Sequence, residues 1–403
     1  MTGEEDVPSE AEIPGPDEVP GPEEIRGTIG RYVDEMKAAG AIGSPAVERA
    51  FLTVPRHRLL ETFYRREADR TVTVRHDPGH PRRDHLALIY ADNALATRRS
   101  GGLPVSSTSQ PSLMARMLEL LSLTGGMKIL EVGAGTGYNA ALMAEIVGDQ
   151  RRVITVDVLE DVVDQTRRLL AAAGYPAIQV LLRDGFEGVP GQAPFDRIVA
   201  TVGCSDLSPN WAEQLADDGA MLVPLAHGNG HPLVLARKDG HVLRGRMVLR
   251  TGFIPVRGPL HIDDLWMQGV HVSNEAEIVH ERDPAPRFPP RTPEEPTWLT
   301  DEEEDFLFYL GLYDRRAGHA PAGPALSAGP DGWAALGPDG IWWWKDASLA
   351  RELDRRYREW DARGRPALGH YQVTFVPAGE GGDPPPGSWQ IERRFYHELL
   401  TLG

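Results

Sequence analysis

A glycine-rich segment, residues 130–138, carries the clearest chemical pattern of the sequence. It reads Leu-Glu-Val-Gly-Ala-Gly-Thr-Gly-Tyr and lies between an apolar stretch and a helical one. Glycine at three alternate positions, Gly133, Gly135 and Gly137, allows the backbone to turn tightly and to approach a ligand without an intervening side chain. Between a strand and a helix such a loop predicts a nucleotide site, although a simple tight turn would show the same glycines.

Three acidic residues accompany these glycines at regular intervals. Glu131 ends the first predicted strand, and Asp157 ends the second, twenty positions after Gly137. Asp184 follows the third predicted strand, with Gly185 beside it. Because the carboxyl ends of parallel strands face the ligand side of a sheet, we expect Glu131 to pair with an ammonium group and Asp157 to grip two ribose hydroxyls. Asp184 and Gly185 are expected beside an adenine amino group.

These polar contacts fit S-adenosyl-L-methionine, which would leave as S-adenosyl-L-homocysteine, better than they fit a nicotinamide dinucleotide. The dinucleotide fingerprint has Gly or Ala at the position of Tyr138. A pyrophosphate would also be repelled by Glu131 within the loop. The spacing of the acids makes a simple turn the weaker alternative, and the sequence predicts an S-adenosylmethionine site.

The elements that must position this site alternate along the middle of the chain. Short apolar stretches rich in β-branched residues predict strands at 127–132, 152–156, 178–182, 197–201 and 220–224. Helical patterns separate them at 138–147, 160–173 and 208–217. This alternation predicts an α/β fold with a doubly wound, mainly parallel sheet. Two later strands, at 232–237 and 241–249, are expected to add an edge hairpin through Asp239-Gly240.

The chain before this sheet divides into a tail and a helical region. Residues 1–25 hold nine acids, five prolines and no Lys or Arg, a composition that predicts a disordered acidic tail. Residues 26–110 are expected to form a helical N-terminal cap with a substrate loop, and residues 66–85 within them an irregular insertion. The cofactor-binding domain is predicted to span residues 111–260.

The chain beyond the sheet is predicted to hold a proline-dense linker, residues 261–297, and a smaller α+β domain, residues 298–403. Predicted helices and strands of this domain lie at 298–315, 340–345, 347–363 and 371–376. Seven of the nine tryptophans lie past residue 290, and because aromatic side chains commonly anchor peptide interfaces, we interpret the domain as a peptide-recognition module. Trp342–Trp344 cannot all face one core, because successive strand residues point to opposite faces.

Composition excludes several classes of protein. The net charge of −17 disfavours nucleic acid as the main partner, since phosphate binding needs a concentrated basic surface. No apolar run approaches the length of a membrane span, so no membrane association is expected. The single cysteine, Cys204, fits a reducing cytoplasm. His227 and His231 flank a Gly-Asn-Gly turn with no Cys or acid to complete a metal site, so we expect a solvated loop there.

Four further motifs resemble those of the protein-L-isoaspartate O-methyltransferase family. They are Val54-Pro55-Arg56-His57, Tyr90-Ala91-Asp92-Asn93-Ala94-Leu95, Thr108-Ser109-Gln110-Pro111 and Ala193-Pro194-Phe195-Asp196-Arg197-Ile198. Their order and spacing match the family along about residues 26–257. The resemblance implies a Rossmann-like class I methyltransferase fold. It also implies methyl transfer from S-adenosylmethionine to an aspartyl or isoaspartyl carboxylate of a peptide or protein.

The resemblance also implies the substrate contacts. In the family, the serine of the Ser-Gln-Pro motif lies beside the substrate carboxylate, which implies a catalytic orienting role for Ser109, with Ser107 and Thr108 as neighbouring contacts. The stretch Phe253-Ile254-Pro255 resembles the family's late substrate-flanking strand, so Ile254 is expected to line the peptide groove. His57 is expected to have a structural hydrogen-bonding role.

The chain departs from the plain repair enzyme of this family. Ser112 stands where an aromatic residue or histidine is common, and residues 66–85 and 281–403 have no counterpart. Homologues with such extensions occur beside genes for ribosomally made peptides, including lanthipeptides, lasso peptides and graspetides. This resemblance implies methylation of a chosen aspartate, whose ester collapses to a succinimide that can hydrolyse to isoaspartate. A general repair enzyme and a non-catalytic peptide-binding protein are the alternatives.

Overall fold

The structure, a computed structural model, describes residues 19–67, 70–228, 230–261, 278–282, 287–288, 299–380 and 384–403. The chain forms two compact units, Met1–Arg183 and Asp184–Gly403. This division differs from the predicted boundaries near residues 110 and 260. In the described part of the chain, no helix combines the length and the apolar composition needed to cross a bilayer.

The first unit begins with helices and a small sheet. The helices are α1 (Pro22–Ala38), α2 (Pro45–Thr53) and α3 (Arg83–Ile89), and the strands are β1 (Thr62–Glu67), β2 (Arg70–Arg75), β3 (Leu95–Ser100) and β4 (Leu103–Thr108). The sheet is antiparallel, in the order β2-β1-β3-β4. Proline occupies the first turn of α1 and α2, and the Ser44 hydroxyl caps α2 by accepting from the Val47 amide at 3.3 Å.

Two predictions for this region differ from the structure. Residues 66–85, predicted as an irregular insertion, belong to the regular β1–β2 hairpin and the start of α3. In β2 only Val74 is buried, so the hairpin has little of the apolar signal by which a strand is predicted. The acidic tail is predicted to reach residue 25, but α1 already begins at Pro22, and residues 1–18 lie outside the described part of the chain.

The remainder of the first unit has the predicted alternation. Its elements are α4 (Pro111–Leu121), β5 (Ile129–Val132), α5 (Tyr138–Val147), β6 (Val153–Asp157), α6 (Glu160–Ala172) and β7 (Gln179–Leu182). Strand β6 pairs in parallel with both β5 and β7. All four residues of β5 are buried, as expected for a parallel strand covered on both faces. The predicted strands and helices of this stretch are confirmed to within two residues at each end.

The second unit continues with strands and a few helices. In chain order they are β8 (Phe195–Ala200), α7 (Pro209–Gln214), β9 (Leu215–Pro224), β10 (Leu233–Asp239), β11 (Val242–Leu249), β12 (Val279–Arg282), α8 (Asp301–Gly311), β13 (Ala317–Ala320), β14 (Gly323–Ser327), β15 (Trp333–Gly337), β16 (Gly340–Trp344), α9 (Ala347–Ala362), β17 (Tyr371–Pro377), β18 (Trp389–Glu392) and β19 (Tyr396–Leu402). The β10–β11 hairpin is confirmed, but its predicted position at the edge of the sheet is wrong, because β17 pairs with β11. Helix α7 is shorter than predicted, because β9 already begins at Leu215.

Within this unit the strands β18-β19-β17-β11-β10-β9-β8 are neighbours in that order. β8 and β9 are parallel, and the other pairs are antiparallel. The pairing of β11 with β17 joins the end of the chain to the strands that precede residue 250. The predicted C-terminal domain is therefore not self-contained, since three of its strands extend a sheet built by earlier residues.

A second sheet of this unit is antiparallel, in the order β12-β16-β15-β14-β13. Its edge strand β12 lies inside the predicted linker, most of which falls outside the described residues. Trp333 and Trp344 are buried in the core of this sheet, and Trp342 packs against the same cluster. Trp343 points to the other face and donates from Nε1 to Glu281 Oε1 at 3.2 Å. The prediction that the three consecutive tryptophans do not share one core is confirmed.

Candidate active site

The glycine loop has the tight backbone turn that its sequence predicts. The φ angles of Gly133, Gly135 and Gly137 are 103°, 52° and 78°, a region that side-chain-bearing residues rarely adopt. A Cβ atom on Gly135 would lie 2.9 Å from the Ser107 carbonyl oxygen, and one on Gly137 would lie 2.9 Å from the Thr166 methyl group. The glycines therefore allow the loop to turn, and they leave room for the Ser107 backbone and the Thr166 side chain to pack against it.

Asp157 ties the end of β6 to this loop. Its Oδ2 accepts from the amides of Ala134 at 3.1 Å and Gly135 at 3.4 Å, and its Oδ1 accepts from the Leu159 amide at 3.1 Å. Burial raises the pKa of Asp157 above its usual value, although these amides oppose the shift. The structure thus brings Asp157 to the glycine loop, and a carboxylate oxygen has a second lone pair for a hydroxyl donor.

Glu131 lies one residue before the end of β5 and is buried, with 1% of its surface exposed. Asn139 donates from Nδ2 to its Oε1 at 2.8 Å. Among the described residues, the buried Oε2 of Glu131 and Oδ1 of Asn139 have no hydrogen-bond partner. Burial raises the pKa of Glu131 to about 7, with the Asn139 contact acting against it. An unpaired carboxylate oxygen beside an unpaired amide oxygen fits a cationic donor, as the ammonium of S-adenosylmethionine would be.

Ser107, Thr108 and Ser109 end β4 and lead into α4. The Ser107 carbonyl lies against Gly135, and Thr108 is buried. Ser109 is half-buried, and within the described part of the chain its hydroxyl makes no hydrogen bond. Ser107 is also half-buried, and no hydrogen bond of its hydroxyl is seen in the described part of the chain, so the side chains of Ser107 and Ser109 are both available to a ligand, whereas that of Thr108 is buried.

Arg56 holds Ser109 in place, a role that sequence reasoning missed. It is fully buried and donates to the Ser109 carbonyl at 3.0 Å. It also donates to the carbonyls of Ile89 at 2.7 Å, Asn93 at 3.2 Å and Ala91 at 3.4 Å. One guanidinium thus joins three of the sequence motifs. The signal was present in the Val-Pro-Arg-His motif, but the partners are backbone atoms whose positions a sequence does not specify.

Asp92 supports the residues that follow Ser109 in a similar way. It accepts from Gln110 Nε2 at 2.9 Å, from the Ser112 amide at 2.8 Å and from the Ser112 hydroxyl at 2.7 Å. Ser112, a departure from the family pattern, is therefore engaged in holding the first turn of α4. A shared carboxylate fixes the start of the helix, and with it the backbone direction at Ser109.

His57 has the structural role predicted for it. Its Nδ1 lies 2.8 Å from the Tyr90 hydroxyl, and burial lowers its pKa to about 4. The imidazole ring is therefore neutral at physiological pH. Its hydrogen bond joins the Val-Pro-Arg-His motif to the motif that begins at Tyr90.

The predicted site residues beyond residue 183 belong to the second unit. Asp184 accepts from the Phe186 amide at 2.9 Å, capping a short turn that contains Gly185. The Ile254 carbonyl accepts from the Gly203 amide at 2.9 Å, and the Ile254 side chain is half-buried.

The prediction of a solvated loop at His227 and His231 is wrong. Both side chains are buried, and His227 lies 3.1 Å from Glu398. The loop is covered by a residue 171 positions later in the chain, which no local pattern indicates. Among the described residues, no three His, Cys, Asp or Glu side chains are grouped to hold a metal.

Comparison with known proteins completes the assignment. A family model of protein-L-isoaspartate(D-aspartate) O-methyltransferase matches residues 80–260, a range that includes all the predicted site residues. The protein-L-isoaspartate O-methyltransferase of Methanopyrus kandleri is 36% identical over 231 residues, which cover 57% of this chain and 90% of the relative. That of Methanococcoides burtonii is 39% identical over 180 residues, which cover 43% of this chain and 84% of the relative.

A solved structure of a protein-L-isoaspartate O-methyltransferase has a TM-score of 0.51 and 24% identity, and the match covers 86% of this chain and 96% of that one. This likeness confirms the predicted class I methyltransferase fold. The Methanopyrus kandleri relative is matched over 90% of its length at 36% identity. The chain therefore belongs to the protein-L-isoaspartate O-methyltransferase family of S-adenosylmethionine-dependent carboxyl methyltransferases.

Proposed function

We propose that this protein transfers the methyl group of S-adenosylmethionine to the free carboxylate of a residue in a peptide, the α-carboxylate of an isoaspartyl residue or the side-chain carboxylate of an aspartyl residue. The observation that carries the proposal is the arrangement of Ser109. Its hydroxyl has no partner in the described part of the chain, its backbone is fixed by Arg56, and the residue two positions earlier, Ser107, touches the glycine loop at Gly135. One short segment, residues 107–109, would therefore contact both the acceptor carboxylate and the cofactor loop.

Within the first unit, the glycine loop, Asp157 and Glu131 would hold the cofactor, and for Asp184 and Gly185 an adenine contact is what the family resemblance implies. The open backbone at Gly133–Gly137 admits a close ligand, Asp157 offers an acceptor to ribose hydroxyls, and Glu131 offers a carboxylate to the ammonium group. When bound, S-adenosylmethionine supplies an electrophilic methyl group on a sulfonium.

The acceptor carboxylate requires orientation and not activation. Its unperturbed pKa lies near 4, so at neutral pH it is already the nucleophile. An oxygen lone pair of the carboxylate forms the new bond to the methyl carbon, and the electron pair of the broken C–S bond stays on sulfur. The Ser109 hydroxyl donates to the other carboxylate oxygen and fixes its direction, and positioning of this kind supplies several kcal/mol toward catalysis.

A second candidate is narrower: methylation of one aspartate in a modified, ribosomally made precursor peptide. The ester then loses methanol as the following backbone amide attacks, giving a succinimide that hydrolyses to isoaspartate. The extent of folded chain beyond residue 260 favours this candidate, because repair needs no selectivity beyond the damaged residue. In this case the sheet β12–β16 and helices α8 and α9 take part in holding the peptide.

Two synthetic peptides that differ only in an isoaspartyl or aspartyl linkage distinguish these functions. We expect the full chain to transfer labelled methyl groups to the isoaspartyl peptide. Labelling of the aspartyl peptide, with succinimide appearing after it, would support the second candidate. Binding of S-adenosylhomocysteine without labelling of either peptide, or of any precursor peptide encoded nearby, would indicate a non-catalytic binding protein and contradict the proposal.

A further inference from the structure

A buried ion pair lies near the end of the chain, outside the residues that the family model matches. Arg393 donates from Nε to Glu398 Oε2 at 2.7 Å, and its Nη2 lies 2.5 Å from the same oxygen. His227 Nε2 lies 3.1 Å from the other carboxylate oxygen. Burial alone would raise the pKa of Glu398, but Arg393 and His227 outweigh it and hold the pKa at about 2. The charge of Arg393 is therefore balanced at neutral pH.

The guanidinium of Arg393 also reaches two carbonyls of much earlier residues. Nη1 donates to the Ser205 oxygen at 2.7 Å, and Nη2 donates to the Ala226 oxygen at 3.0 Å. These two carbonyls belong to neighbouring segments, since the Ala226 amide donates to the Cys204 oxygen at 2.8 Å. Arg393 thus fixes one edge of the 203–206 segment.

The opposite edge of the 203–206 segment carries Ile254. The Gly203 amide donates to the Ile254 oxygen at 2.9 Å, and the Val256 amide donates to the Gly203 oxygen at 2.9 Å. The ring of His231 packs so closely here that a Cβ atom on Gly203 would lie 2.7 Å from it. The backbone at Ile254 therefore depends on the position of Gly203.

We propose that Arg393 is a positioning residue for the peptide-binding wall at residues 253–256. The guanidinium fixes the 203–206 segment, and that segment fixes the backbone that presents Ile254. The inference rests on the proposed function, in which Ile254 flanks the substrate. The C-terminal extension contributes to substrate binding in this way through a residue that does not touch the peptide.

Arginine is specifically suited to this role. It presents several N–H donors in a planar fork, and here these donors meet a carboxylate and two carbonyls in different directions. A lysine at this position would keep the charge that balances Glu398. Its single ammonium group would not span all three acceptors, so Arg393→Lys separates the positioning role from charge balance.

The test compares Arg393→Lys with two controls in the full chain. Arg394→Lys alters the exposed neighbouring arginine, which lies over the Phe395 ring. Trp360→Phe alters buried packing beside Phe306, away from the ion pair, and serves as a control for lost stability. With a synthetic isoaspartyl peptide, we expect Arg393→Lys to raise KM roughly tenfold, the effect of losing one charge-assisted hydrogen bond. The kcat should change less than about twofold, and the affinity for S-adenosylhomocysteine should not change.

Hydrogen exchange provides a readout that does not require activity. In Arg393→Lys the amides of Gly203, Ser205 and Val256 should exchange faster than in either control, because their segment has lost the guanidinium contacts and keeps only its backbone bonds and the bond from the Phe395 amide to Asp206. The double variant Arg393→Met/Glu398→Met removes both charges together, which avoids a buried unpaired ion. It should show the same increase in KM and the same loss of protection even where the single variant folds poorly.

The outcomes separate the inference from the function on which it rests. If the parent enzyme does not methylate the isoaspartyl peptide, the proposed function fails, and hydrogen exchange still decides whether Arg393 fixes the 203–206 segment. Suppose instead that the parent is active, and that Arg393→Lys and the double variant have the same KM and the same amide exchange rates as Trp360→Phe when all three have lost equal Tm. Arg393 then has only a general structural role. That result would overturn the inference.

Discussion

Glu131 in the first unit and Glu398 in the second are both buried, yet their pKa values move in opposite directions. The pKa of Glu131 rises to about 7, whereas that of Glu398 falls to about 2. Glu398 has Arg393 and His227 within hydrogen-bonding distance. At Glu131 the Asn139 amide and the Thr155 hydroxyl lower the pKa only in part, and the second carboxylate oxygen has no hydrogen-bond partner among the described residues.

We interpret Glu398 as part of a finished structural ion pair and Glu131 as part of the proposed cofactor site, which would be complete only with its ligand. Burying a carboxylate is costly unless a positive charge or several donors compensate it. At Glu398 the chain supplies the positive charge itself. At Glu131 it does not, and the expected ammonium of the cofactor would supply it. An uncompensated buried acid beside a glycine loop is thus a physical sign of a binding site.

The largest expected effect comes from matched neutral substitutions at these two glutamates. Glu398→Gln leaves Arg393 buried without its counter-charge, and we expect the free energy of unfolding to fall by about 3–5 kcal/mol. Glu131→Gln removes a charge that the fold does not compensate, so the loss should be no more than about 1 kcal/mol. Urea unfolding of both variants measures the difference. Equal losses of unfolding free energy would show that the fold compensates the charges of Glu131 and Glu398 to the same degree.

Ser109→Ala is expected to lower the rate of methyl transfer by roughly ten- to a thousandfold, as for one orienting hydrogen bond. Cofactor affinity should be nearly unchanged, because the hydroxyl is assigned to the acceptor carboxylate. Single-turnover rates on the isoaspartyl peptide provide the measurement, with Ser122→Ala, at an exposed helix end, as the matched control. A rate equal to that of the parent would remove Ser109 from the reaction.

Asp157→Ala is expected to weaken S-adenosylmethionine binding by at least about tenfold, since two hydroxyls would lose a charged acceptor worth about 1.5–3 kcal/mol. The substitution also frees the amides of Ala134 and Gly135, so the loop loses its tie to β6. Calorimetric titration tests this, with Asp164→Ala on the surface of α6 as control. An unchanged affinity would remove Asp157 from the cofactor site.

The parts of the site that the sequence predicted are those set by local pattern. The glycines and Asp157 follow from strand–loop–helix order, because each position has a fixed relation to the end of its own strand. Arg56 and Arg393 were missed, since their partners are backbone carbonyls up to 188 residues away in the chain. A buried arginine has the same local sequence signature as an exposed one.

The fold shows the same division between local and distant information. The parallel strands β5–β7 are continuous apolar runs and were predicted closely. The β1–β2 hairpin is largely solvent-facing and was not. The proline-dense stretch near residue 290 suggested an independent domain, but β17 pairs with β11, and strand pairing over such a distance leaves no periodic trace in the sequence.

The smallest expected effect, and the most direct test of the comparison, is a change in proton number at Glu131. Its folded pKa of about 7 lies above the usual 4.5, so this group stabilises the fold below pH 4.5 and loses that contribution as the pH rises toward 7. Glu398, with its pKa lowered to about 2, contributes stability above pH 4.5 that is lost as the pH falls toward 2.

An ammonium bound at Glu131 would favour the ionised form of this carboxyl group and release a fraction of one proton at pH 7. Calorimetry of S-adenosylhomocysteine binding in buffers of different ionisation enthalpy measures this release, and Glu131→Gln should abolish it. A binding heat independent of buffer in the parent protein would show that Glu131 does not receive the ammonium, and that the two glutamates differ for another reason.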